Sequence, residues 1–80
     1  MRFKVGHIVR YTRAFIHNTG QYASNRINGR VEEVLTDSRA FEGWPKVSWN
    51  DMDVDDDPIL VNPVNLELDP KGAEINRAIQ

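Results

Sequence analysis

No stretch of this chain keeps its apolar residues on one helical face for long. They come in short runs that alternate with polar residues and are closed by Gly, Pro, Asn, Asp or Ser. A period of two marks a strand with one buried face, so the chain is suited to short β-strands. In "FKVGHIVRYT", Phe3, Val5, Val9 and Tyr11 share a face, with His7 in phase and Lys4 and Arg10 opposite. "INGRVEEVL" brings Val31, Val34 and Leu35 after Gly29, and a glycine inside a strand marks a bulge or a close backbone approach. "WPKVSWN" sets Val47 and Trp49 in phase, with Pro45 at the strand's start because proline cannot donate to a ladder. "PILVNP" is a fourth strand ending at Pro63, and "VNLEL" is a short turn leading into a fifth through Leu66 and Leu68. The expected core is Val5, Val9, Val31, Val34, Val47, Trp49, Ile59, Val61 and Leu66.

Between these runs lie the connections. "RAFIHNTGQYASNR" is broken by Asn18, Gly20, Ser24 and Asn25 and reads as a long first loop, folded back as an irregular hairpin because Phe15, Ile16 and Tyr22 are too apolar to hang free. "TDSRAFEG" is a polar connection and "DMDVDDD" a solvated turn. The tail "DPKGAEINRAIQ" has Ile75 and Ile79 one helical turn apart, which supports only a frayed turn. The expected organisation is one all-β domain over residues 1–69 with a loosely ordered tail over 70–80. At 80 residues, a single small domain buries only roughly 60% of the surface its unfolded chain exposes. The chain has no cysteine, which removes disulfides, thiolate metal sites and cysteine nucleophiles together. With no long apolar run and no signal-peptide core, the expected setting is the cytoplasm, away from any membrane.

The order of these patterns resembles the SH3-like small barrels. "VGHIVRYT" matches the Gly-x-x-Val-Arg opening of KOW, Tudor and related barrels. "GRVEEV" is similar to their Gly-x-Val second strand, "KVSWND" to their Val-x-Trp third strand, and "VNPVNLELD" to their Val-x-x-x-Asn-Leu ending. The resemblance spans residues 3–69 and implies a five-stranded antiparallel barrel. The ending "ILVNPVNLE" is also similar in position to the active segment of the plasmid type II dihydrofolate reductases, which share this architecture. This chain has Leu60 where that family has glutamine and Asn62 where it has tyrosine, so the resemblance does not extend to reductase chemistry.

Candidate catalytic and metal groups are sparse. Asp51, Asp53 and Asp55 open like a calcium loop, but Asp56 stands where the sharp turn needs glycine and Asn62 where a bidentate glutamate belongs. His7 and His17 are the only histidines and have no metal-ligand spacing. No catalytic residue, metal site or cofactor is expected.

Charge is more informative. Residues 1–30 hold six Lys or Arg and no acid, whereas residues 31–80 hold four basic and twelve acidic residues. Asymmetry of this kind points to an anionic partner. Arg10, Arg13, Arg26 and Arg30, with Tyr11, Phe15, His17 and Tyr22, provide guanidinium forks for phosphates and rings for stacked bases. Trp44, beside Pro45, joins them as a surface anchor. The expected function is a non-enzymatic nucleic-acid-binding module. The alternative is a protein–protein adaptor or accessory subunit, since arginine and tyrosine also anchor protein interfaces and the overall pI of 5.6 is low for a nucleic-acid binder.

Overall fold

The computed structural model describes residues 3–20, 26–37 and 39–79. Five antiparallel strands form one sheet: β1 (Ile8–Tyr11), β2 (Gly29–Val34), β3 (Pro45–Trp49), β4 (Ile59–Leu60) and β5 (Leu66–Leu68). Their hydrogen-bonded order is β4-β3-β2-β1-β5, so the first strand lies between the second and the last. A 3-10 turn at Pro63–Asn65 precedes β5, capped by the Asn62 side chain accepting from the Val64 N–H.

The core is Phe3, Val9, Val31, Val47, Trp49, Val61 and Leu66, with Tyr11, Val34, Met52 and Leu68 packed around it. Val31 and Val34 are three residues apart and cannot face the same side of a regular strand. The register against β3 slips between Val31 and Glu33, and the extra residue Glu32 turns Val34 back toward the interior. Gly29 is a close approach, as expected from the sequence. A Cβ there would lie 2.5 Å from Val47 Cγ1 and 2.9 Å from the Ser48 carbonyl oxygen. Two expected core residues are displaced outward. Val5 is exposed because Lys4–His7 is a turn closed by the His7 N–H to the Lys4 carbonyl, not the start of a strand. Ile59 is 37% exposed although it pairs with the buried Val47, because β4 ends the strand order and only one neighbouring strand covers it.

Two expectations about the connections are corrected. The segment read as a loop opens with a helix, α1 (Arg13–Thr19). Thr12 caps it by accepting from the Phe15 N–H at 3.2 Å, and Gly20 closes it in the left-handed region at φ 71° with its N–H on the Ile16 carbonyl. Asn18 and Gly20, taken as loop breakers, are the last turn and the cap of this helix. The tail read as loosely held is docked. A 3-10 turn at Pro70–Gly72 leads into α2 (Ala73–Ala78), and the buried Asn76 carboxamide accepts from the Ile8 N–H at 2.7 Å and donates to the Ile8 carbonyl at 3.0 Å. The Asp69 N–H also reaches that carbonyl. Asn76 thus stands in for a peptide group beside β1 where β5 ends. A helix too short to hold itself in water is held by tertiary bonds.

Candidate functional site

The expected binding residues fall into three places. Tyr11, at the end of β1, is the centre of the first. Its ring stacks on Phe15 of α1, with centroids 4.4 Å apart, and on Trp49 of β3, with centroids 4.3 Å apart. The Arg26 guanidinium lies 5.5 Å from the Trp49 ring centroid, in the range of a cation–π contact. Because the first helical turn is capped at Thr12, Phe15 is carried back over Tyr11 at the strand's end. Beside the rings, Arg10, Tyr11, Arg13, Ile16 and Glu67 line a groove of about 310 Å³.

The arginines around these rings have mostly found carboxylates within the chain. Arg10 faces Glu67 across β1 and β5, where the two residues are register partners, and its Nη2 is 2.6 Å from Glu67 Oε2. Arg26 Nε donates to Asp51 Oδ1 at 3.1 Å. Burial alone would lower the Arg26 pKa, but hydrogen bonds to the Asp51 carboxylate and the Tyr11 hydroxyl outweigh it and hold the guanidinium above its ordinary value. Arg26 is therefore a fixed cation that ties the acidic turn to the ring stack. Arg13, exposed at the start of α1, has no ion pair among the described residues. His17 is exposed on the same helix.

Arg30 and Trp44 lie elsewhere. Arg30 Nη2 is 2.9 Å from Glu32 Oε1 on the outer face of β2. There it lines a separate groove with Ser48 and the acidic turn. Trp44 is half-buried and packs edge-on against Phe41 at 4.8 Å. Tyr22 lies outside the described residues.

Three participants were not marked as site residues by the sequence: Ile16, Glu67 and Asp51. Ile16 was flagged only as too apolar for a free loop. Glu67 becomes visible once β1 is known to pair with β5, and Asp51 enters the sequence reading only through the acidic run, as a rejected calcium-loop opening and a solvated turn. These pairs also explain much of the charge asymmetry. Arg10, Arg26 and Arg30 from the acid-free first thirty residues each meet an acid from the remainder of the chain. Much of the division seen along the sequence is neutralised in space.

Of the histidines, His7 is buried, with Nδ1 accepting from the Lys4 N–H at 3.0 Å. Among the described residues, no three His, Asp or Glu side chains are gathered to hold a metal ion, and no helix is long and apolar enough to cross a membrane. No protein-family model, curated protein or solved structure matches the chain significantly.

Proposed function

We propose that this chain is a non-enzymatic small barrel of the SH3-like type that binds a protein partner through the face formed by α1 and the end of β1. The barrel reading is supported by the strand order and by the 3-10 turn before the last strand. The observation that carries the choice of partner is the pairing of the arginines. Phosphates approaching the acid-free segment would have to displace Glu67, Asp51 and Glu32 from Arg10, Arg26 and Arg30. Nucleic acid, the leading expectation from sequence, becomes the second reading. A protein interface needs no such exchange, because its anchors are the half-exposed rings and the Ile16 side chain.

A photo-crosslinking residue at Asn18, exposed on α1, tests this in the native host, with the same residue at Val54 on the acidic turn as the comparison. The expected product from position 18 is a discrete adduct to one protein that survives nuclease digestion and forms in high salt. Phosphate-driven association would instead fall steeply with salt. A nuclease-sensitive product would restore the nucleic-acid reading. An adduct only from position 54 would move the site to the acidic turn.

A further inference from the structure

We infer that the α1 face recognises an acidic segment of its partner, one that places a carboxylate on Arg13 and an apolar side chain in the groove beside Tyr11 and Ile16. The inference rests on the reading of this face as a protein-binding surface and gives that partner its chemistry.

The pattern that points to it is repetition around one ring. Arg10, Arg13 and Arg26 are all placed close to Tyr11. Arg10 is its neighbour on β1 and lines the same groove, Arg26 lies over the Trp49 ring on which Tyr11 stacks, and Arg13 lines the groove from α1. Two of the three are matched by carboxylates of the chain itself: Glu67 on Arg10 at 2.6 Å and Asp51 on Arg26 at 3.1 Å. The third, Arg13, has no such partner among the described residues. Helix α1, which carries it, has no acidic residue and no buried residue. The groove is lined by Tyr11 and Ile16 together with Arg13 and the Arg10–Glu67 pair. An incoming basic residue would face Arg10 and Arg13. An incoming carboxylate completes the third pair and can reach Arg13 in the bidentate manner that guanidinium favours. Charge complementarity therefore selects an acidic segment, and the Tyr11 and Ile16 side chains select a large aliphatic or aromatic neighbour for that acid.

The test uses the isotope-labelled full chain, observed by NMR, and three capped tripeptide probes: acetyl-Glu-Leu-Leu-amide and its counterparts with Gln or Lys in place of Glu. The Glu probe is expected to shift resonances of Tyr11, Arg13 and Ile16. The Gln probe should bind roughly two- to fivefold more weakly, the range of a solvent-exposed ion pair, and the Lys probe more weakly still. In Arg13→Gln the difference between the Glu and Gln probes should vanish, which isolates the pair from the rest of the contact. Arg13 is exposed, so the variant's unperturbed spectrum serves as the folding control. Equal binding of all three probes at this face would overturn the acidic chemistry and leave the face itself standing. A Glu preference that persists in Arg13→Gln would also overturn it. So would the absence of any shift at these residues, in which case the cross-linking result alone judges the face. A short oligothymidylate that shifts the same residues and competes with the Glu probe would mean that the anion is phosphate, and the inference would fall.

Discussion

Truncation of Trp49 to Ala should cost about 3–5 kcal/mol, the range for removing a large buried side chain. In a domain of this size that is comparable to the whole stability, so the expected result is a chain that is unfolded or close to it at room temperature. The side chain is 2% exposed and lies in the core cluster with Val9, Val31 and Val47. It also stacks on Tyr11 and lies under the Arg26 guanidinium, so its loss removes the support of the candidate site together with the core. Trp49→Phe is the informative companion. It keeps a ring against Tyr11 and removes the indole N–H, which is buried without an acceptor among the described residues. An unmade bond of that kind carries its own cost, so the Phe variant should lose far less than the Ala variant. Urea denaturation followed by circular dichroism decides the matter. A Trp49→Ala chain whose urea midpoint stays close to that of the parent would place this ring outside the core and contradict the packing described above.

The second large effect is expected at Asn76. Replacing it by Ala leaves the Ile8 N–H without its acceptor and strips one of the two donors from the Ile8 carbonyl. A buried backbone group left unpaired costs about 1–3 kcal/mol. Because the carboxamide also fixes α2, the loss should be accompanied by local release. Amide exchange at Ile8 should quicken well beyond the change expected from global destabilisation, and the protection of α2 should fall with it. Unchanged exchange at Ile8 in Asn76→Ala would show that α2 is held by other contacts, such as the packing of the buried Gly72 against Ile8.

The parts of the fold that were legible in the sequence are those written in period two. Val9, Val31, Val47 and Trp49 follow from alternation alone, and Gly29 and Pro45 occupy the places that their backbone chemistry dictates. Val5 was misread because the alternation of "FKVGHIV" passes through a turn whose closing bond is invisible to a face count. Helix α1 is illegible in the sequence, and α2 shows only as a frayed turn through Ile75 and Ile79, for a different reason. Each is less than two full turns long, too short for a hydrophobic period to register. One is defined by its caps, and the other by a carboxamide bonding to a strand far away in sequence. At the candidate site, the arginines and aromatic rings are recognisable in one segment, but their pairing is not. Whether an arginine is free or paired depends on Glu67 and Asp51, which only the strand order and the course of the acidic turn bring near. Arg13 is distinguished from Arg10 and Arg26 by this tertiary pairing and by nothing in the local sequence.

The place of β1 between β2 and the last strand also constrains how the chain reaches its native state. The partners Arg10 and Glu67 are separated by 57 residues. Val31 and Val47, joining β2 to β3, span a loop shorter by nearly two doublings, and each doubling adds about 0.6 kcal/mol of closure entropy. The β2–β3 hairpin is therefore the natural nucleus, with β5 and α2 closing on β1 late. Folding kinetics should carry that imprint. Val47→Ala should act mainly by slowing refolding, whereas Leu66→Ala and Asn76→Ala should act mainly by hastening unfolding. A chevron series in which Leu66→Ala slows refolding as much as Val47→Ala would mean that the distant strand is already paired at the barrier. With the order argued here, the β1–β5 pairing comes last, and the groove beside Tyr11, which needs the Arg10–Glu67 pair, takes shape only when folding is nearly complete.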